Sequence, residues 1–232
     1  MATVHAEPLT RSEAMSAGAS ERFGAASGVA FTVLAVAAAV IAPTPPEADA
    51  SGSTITRYLT SNTDRLAGST ALFALAALAI IGFFAFVHRR LRLRCQDGGL
   101  LAGAFLIAGA AVVFSALLAA VLEAALVQHI APAADEPTLG AAYVVWMLVF
   151  HTATSIAMSA ALVCAAIAIV RWSAFPRWLA AFAALAATLS LIDDASDLTS
   201  SGTSLGPLGP LAFALVMVWI LGASIAALMR PG

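Results

Sequence analysis

Apolar residues fall into six runs along the chain, at about 24–42, 67–87, 100–122, 141–170, 178–192 and 211–229, separated by short polar stretches. A helix rising about 1.5 Å per residue needs roughly 20 apolar residues to cross hydrocarbon, and most of the runs are near that length. The fifth run reaches only about 22 Å, so it either thins the bilayer locally or continues helically beyond Ile192. This pattern predicts an all-α fold: a polytopic transmembrane helical bundle of six spans over 24–230, preceded by a flexible cytoplasmic tail at 1–23. Between the first two runs, Pro43, Pro45 and Pro46 precede Ser53, a candidate cap, and then Ile55, Tyr58 and Leu59 at helical spacing. A short interfacial helix is expected there.

Arginine placement sets the orientation, because positive residues in short loops stay cytoplasmic. With the N-terminus inside, Arg11, Arg22, Arg89, Arg90, Arg92, Arg94, Arg171, Arg177 and Arg230 are cytoplasmic, leaving only Arg57 and Arg65 outside. Both termini are therefore expected in the cytoplasm. Glu47, Asp49, Asp64, Asp135, Glu136, Asp193, Asp194 and Asp197 gather on the opposite, outer face. Trp172 and Trp178 are expected at the inner interface, and Tyr143 and Trp146 near the outer one. Ala48-Asp49-Ala50 has the small-x-small form of a cleavage site, which would make the first run a signal peptide and leave five spans. The long polar lead and the length of the run favour a retained span.

Composition agrees with this pattern. Hydrophobic residues make up 61% of the 232 positions and charged residues 10%, against about a quarter charged in soluble domains. The net charge of −2 and a single short basic cluster exclude a nucleic-acid partner. All 11 basic residues are arginine and alanine dominates the apolar runs, a codon bias that points to a GC-rich bacterial genome and so to a bacterial plasma membrane. Cys95 and Cys164 stand far apart and form neither a disulfide framework nor a CxxC metal pair. The chain carries no Walker loop, no recognisable Ser-His-Asp context, no zinc-protease helix and no paired intramembrane histidines for haem. No enzymatic activity and no cofactor are expected.

The order of features is a first span bearing Gly24 and Gly28, a Pro-rich outer loop, the Ile55–Tyr58 segment, an Arg-rich inner loop, and Pro176-Arg177-Trp178 before a late span. It resembles a group of uncharacterised actinobacterial multi-pass integral membrane proteins of unknown function. The resemblance implies membrane location and a shared fold. It implies no activity and carries over no functional residue.

Candidate chemistry rests on ionisable residues at bilayer depth, where a charge costs on the order of 2.5 kcal/mol or more. Counted from the inner ends of their helices, Glu123 lies about 34 Å up the third span, His151 about 28 Å up the fourth, and Asp193 and Asp194 about 22 Å up the fifth. His151, Thr152, Ser155 and Ser159 share one face of an ideal helix and are expected to point into the bundle. The plain reading is hydroxyls bonded one turn back and a neutral histidine satisfied by one neighbour. The sharper one gathers Glu123, His151, Ser155, Asp193 and Asp194 into a polar or ion site in the outer half, suited to proton exchange or cation binding. Asp193-Asp194-x-x-Asp197 matches an Mg²⁺-diphosphate motif as a string, but helix-end capping explains it better. Arg89, Arg90, Arg92 and Arg94 form a topology anchor in contact with anionic lipid.

All ten prolines fall outside the six runs, which predicts unbroken helices. Gly24-x-x-x-Gly28, Gly99-x-x-x-Gly103, Gly82, Gly109 and Gly222 fit close helix packing. The functional expectation is a small transporter or sensor with a polar site in the outer half. The alternative is a structural or partner-binding subunit that pairs with itself or another membrane protein, and a metal-dependent membrane enzyme stands behind both. Single cysteines introduced into a background lacking Cys95 and Cys164 test the orientation. Positions near 50, 133 and 203 should react with an impermeant reagent from outside and those near 95 and 174 should not; protection at 203 rules out six spans.

Overall fold

The structure, a computed structural model, describes residues 11–47, 49–199 and 208–229, with side chains from 18 to 196 and across the last segment. Residues 1–10, Ala48, the loop position 203, Arg230 and the side chains of Arg11 and Asp197 lie outside the described residues. The chain forms α1 (Arg11–Ile41), α2 (Gly52–Ser61), α3 (Thr63–Arg94), α4 (Leu100–Ala125), α5 (Glu136–Met147), α6 (Thr154–Trp172), α7 (Trp178–Thr199) and α8 (Leu208–Met229). Two π-helical turns, Leu126–Ile130 and Leu148–Ala153, extend α4 and join α5 to α6.

Six helices are long and apolar enough to cross a membrane: Gly18–Ile41, Thr63–Arg94, Leu100–Ile130, Glu136–Trp172, Trp178–Ser196 and Leu208–Met229. The protein is therefore a multi-pass α-helical membrane protein. Large apolar side chains such as Val40, Ile107, Phe114 and Val121 are exposed on the outside of the bundle, where lipid rather than water can cover them. The fifth span resolves its two alternatives by continuing helically through the acidic residues to Thr199.

The spans pack in a closed ring in chain order, α1 on α3, α3 on α4, α4 on α6, α6 on α7, α7 on α8, and α8 back on α1. Short connections between antiparallel helices favour this order, since each new span meets its predecessor first. Side chains fill the middle of the ring. Phe83 meets the Trp219 ring edge-on at 5.8 Å, Phe84 meets Phe105 at 5.6 Å, and Phe86 meets Phe175 at 6.1 Å. Edge-to-face pairs of this kind contribute about 0.5–1.5 kcal/mol beyond their buried area.

Glycines let the backbones approach. A Cβ on Gly28 of α1 would lie 2.3 Å from Ser224 Oγ of α8 and 2.6 Å from Phe83 of α3, and one on Gly24 would lie 2.2 Å from Phe86. Gly82, Gly109 and Gly222 are likewise hemmed in by neighbouring side chains. Gly103 has nothing within 4 Å of that position, and neither does Gly99, whose φ of +87° ends the loop between α3 and α4. The first glycine pair is thus an internal packing seam, and the second is not.

The third and fourth spans outrun the bilayer. Their 31 and 37 residues extend about 46 and 55 Å, against a hydrocarbon core of about 30 Å. The excess lies at one end, where α2, the first π turn and α5 build a cap with its own core of Ile55, Tyr58, Leu59, Leu66, Leu126, Leu139, Tyr143 and Trp146. Tyr143 and Trp146 are therefore buried in protein rather than forming an interfacial belt. The cap of α2 is Ser51, whose hydroxyl accepts from the Thr54 amide at 3.3 Å, and not Ser53. The helix buries Ile55, Tyr58 and Leu59 against protein, where an interfacial helix would lay them in lipid.

Three further details differ from the expectations. α1 begins at Arg11, within the segment read as a tail. Pro137 and Pro210 sit in the first turns of α5 and α8, where a missing amide proton removes no helical hydrogen bond. The third and fourth spans are not unbroken: both carry a π turn without help from proline. Substituting Gly28→Ala should destabilise the purified protein by about 1–3 kcal/mol through overpacking, whereas Gly103→Ala should leave its thermal midpoint in detergent unchanged or higher.

Candidate functional site

Two carboxyls are buried among the described residues, Glu123 at 8% exposure and Asp194 at 4%. Glu123 stands near the end of α4, three residues before the first π turn and about 35 Å from Leu100. That is the level at which the bundle gives way to the cap. Its carboxyl faces the Thr70 hydroxyl of α3 at hydrogen-bonding reach, and its charge acts on Tyr58 of α2 and Tyr143 of α5. Elements of both bundle and cap therefore converge on one side chain.

The two tyrosines and one arginine fix the Pro-rich segment over this point. Tyr58 donates to the carbonyl of Pro43 at 3.4 Å, Tyr143 to that of Pro46 at 2.8 Å, and Arg65 Nε to that of Ile41 at 3.1 Å. Prolines supply carbonyls without competing amide protons, so the segment offers acceptors and the surrounding side chains supply the donors. Burial pushes the Tyr58 phenol well above the ordinary tyrosine range. The negative charge of Glu123 adds to this, and Arg65 opposes it. At the exposed edge of the cap, Asp135 accepts from the Thr138 side chain and its amide, which holds the Asp135 carboxyl below the usual range and caps α5.

Thr70 has one proton to give, and it is spent on the Leu66 carbonyl at 2.7 Å. While that bond holds, Thr70 can only accept from Glu123, which requires the protonated acid. An ionised Glu123 would instead draw the Thr70 proton away from Leu66. The pair therefore has two hydrogen-bonding arrangements, selected by one proton.

The other proposed residues are arranged differently. His151 lies in the second π turn and is exposed, with Phe150 edge-on at 4.9 Å. Thr152 and Ser159 are buried, and Ser155 is half-buried. The i→i+5 bonding of a π turn rotates the residues before it relative to those after it, so the wheel that placed His151 beside Ser155 and Ser159 does not apply across Leu148–Ala153. Thr154 Oγ1 donates here, with the Val149 carbonyl and Ser115 Oγ of α4 both at 3.0 Å. Ser159 donates to the Ala187 carbonyl of α7 at 3.5 Å. The turn carrying His151 packs against α4, α6 and α7, the helices of Glu123 and of the aspartates. Asp193 is half-buried against the first turn of α8, its Oδ2 2.7 Å from where a Cβ on Gly209 would lie, a position where a carboxylate suits the helix dipole. The described surroundings of Glu123 come from α2, α3 and α5, and those of Asp193 from α8. Among the described residues, no three His, Cys, Asp or Glu side chains gather to hold a metal ion.

At the opposite end the four arginines divide. Arg90 is half-buried and donates through Nε to the Ala174 carbonyl at 2.9 Å while lying 4.8 Å over the Phe175 ring. Arg89, Arg92 and Arg94 are exposed. Arg90 is thus a clip between α3 and the turn joining α6 to α7, and the other three have the exposure that lipid contact needs. His88 beside it pairs through Nδ1 with the Ala102 carbonyl at 2.8 Å.

Comparison with protein-family models, curated proteins and solved structures finds no match. The assignment of a site rests on geometry alone. Sequence reasoning missed Thr70, Tyr58 and Tyr143 as neighbours of Glu123, and Arg65 as a neighbour of Tyr58. One signal was present: Tyr58 and Tyr143 are the chain's two tyrosines, both in the segments now seen to form the cap. In a Tyr143→Phe variant, alkaline titration followed by tyrosinate absorbance should show Tyr58 ionising well above the free value of about 10. Because the folded phenol holds its proton more tightly, its contribution to stability should be complete below pH about 10 and fade as pH rises further. Ionisation at the free value would mean that the cap does not bury Tyr58.

Proposed function

We propose that the protein is a non-catalytic sensor of a bacterial plasma membrane. Its cap faces outside, both termini are cytoplasmic, and it reads external proton concentration through Glu123. The observation that carries this reading is the position of that buried carboxyl at the seam of bundle and cap. It faces Thr70 of the bundle and acts on the two tyrosines that hold the Pro-rich segment. The arginine distribution supports the orientation, and the resemblance to actinobacterial membrane proteins supports the location.

Protonation changes which bond Thr70 makes and removes the charge acting on Tyr58 and Tyr143. The other titratable or charged groups on the elements packed around Glu123 include Arg57 on α2, Asp64 and Arg65 on α3, His129 on the first π turn, Glu136 on α5 and His151 on the second π turn. His129 and His151 are exposed, and the Glu123→Gln comparison, which leaves both in place, separates their effect from that of Glu123. Sensing is favoured over transport because aromatic side chains pack across the ring, and the grooves of about 650 and 560 Å³ at α6–α7 and α3–α4 lie open on the bundle surface. A partner-binding subunit is the second reading. It is favoured by the α3–α4 groove, whose Ala67, Ala71, Ala74, Ala120 and Ala124 would let another helix approach closely.

The test uses a single cysteine at Ile55, buried under the cap, in a background lacking Cys95 and Cys164. Its labelling rate is normalised to an exposed cysteine at Thr60, which cancels the intrinsic pH dependence of the thiol. The normalised rate should change severalfold between pH about 5 and about 8, a range in which a buried carboxyl can change protonation state. Glu123→Gln should abolish the change, and Thr70→Val should blunt it. A pH response of equal size in Glu123→Gln would sink the sensor reading and leave the partner-binding one.

A further inference from the structure

We infer that the groove between α6 and α7 at the arginine-rich end is a binding site for one anionic glycerophospholipid. The groove has a volume of about 650 Å³ and is open along the bundle surface, with Ile167 and Val170 of α6 facing Ala180 and Ala184 of α7. Arg171 and Arg177 complete its lining, and no acidic side chain takes part. The fold places both guanidinium groups at the same end. α6 stops at Trp172, Ser173 turns the chain in the left-handed region at φ 55°, and Ala174 and Phe175 are buried beneath Arg90. Arg90 is thereby spent on holding the turn, while Arg171 and Arg177 remain exposed on either side of it.

The two parts of the groove match the two parts of a phospholipid. From Arg177 to Ala184 the apolar wall runs about 10 Å along the helix axis, room for the upper part of one acyl chain in contact with small side chains. Two guanidinium groups at its mouth suit a phosphodiester, which accepts paired hydrogen bonds from the planar guanidinium fork. Exposed Trp178 and half-buried Trp172 flank the same turn, the level at which indole rings prefer to sit in a bilayer. Basic grooves between transmembrane helices recognise anionic headgroups in this way. A soluble anion would use the arginines but not the apolar wall, and a zwitterionic lipid would use the wall but bring a compensating cation.

The experiment is native mass spectrometry of the full-length protein in mild detergent, with phosphatidylglycerol or phosphatidylcholine of matched chains added. The unaltered protein should retain phosphatidylglycerol on the order of tenfold better, as two surface charges provide. Arg171→Gln with Arg177→Gln should reduce this to the phosphatidylcholine level, whereas Arg92→Gln with Arg94→Gln should keep the preference. Ala184→Leu, which fills the groove and leaves both arginines in place, should lower retention of either lipid, and excess glycerol phosphate should fail to displace the bound lipid. Equal retention of the two lipids, or a preference surviving the Arg171/Arg177 change, overturns the proposal. Displacement by glycerol phosphate overturns it in favour of a headgroup-only site. If the double variant does not fold, unchanged retention by Ala184→Leu overturns the proposal by itself.

Discussion

A backbone amide that enters hydrocarbon must find its hydrogen-bond partner within its own helix, because lipid offers none. Regular helix is thus obligatory over roughly 30 Å of each span, and the rest of the structure follows from where that obligation ends. Both π turns lie beyond or at its edge. Leu126 stands about 39 Å along from Leu100, and Leu148–Ala153 lies about 29–36 Å from Trp172. Among the described spans, the backbone becomes irregular only at or beyond that edge. Both turns bracket the level of Glu123, so the one place where helical register is free to change is also where a buried carboxyl sits.

That coincidence gives the cap its meaning. α2, the Pro-rich segment and α5 would make a poor fold alone, with few residues and almost no regular interaction between them. They hold together because the third and fourth spans overshoot the bilayer and offer walls to pack on. The cap is also tied by specific bonds, Tyr58 and Tyr143 to proline carbonyls and Arg65 to the end of α1. A carboxyl beneath so few bonds has leverage that it would lack in the aromatic-filled ring. Arg90 plays the corresponding part at the far end by fastening one turn to α3.

Much of the fold was legible because hydrophobic run length is a direct record of bilayer thickness. The six spans could be read that way, while the short helix at Ile55–Leu59 was legible from helical spacing and the close approach at Gly24 and Gly28 from the spacing of small residues. The site was less legible for identifiable reasons. A helical wheel assumes α-geometry, and the π turn at Leu148–Ala153 broke that assumption at His151. The runs ended where apolar character thinned, so the helical continuations that make the cap, and with them the burial of Tyr143 and Trp146, were hidden. Thr70 could not be singled out, since a threonine in an apolar helix ordinarily bonds to its own backbone, as Thr32 does at Gly28. Arg90 was indistinguishable from its three neighbours because its role depends on Ala174, 84 positions away.

Ring closure has a consequence for biogenesis. Each span except the first meets its predecessor as it leaves the ribosome, but α1 must keep one flank open until α8, the last of the described helices, is synthesised. That flank is the seam where Gly28 meets Ser224 at a distance no added methyl would tolerate. Until then the nascent chain holds an unfilled glycine notch in the bilayer, able to accept the small-residue face of any passing helix. Fidelity of insertion therefore depends on the slowest-arriving segment finding the earliest one.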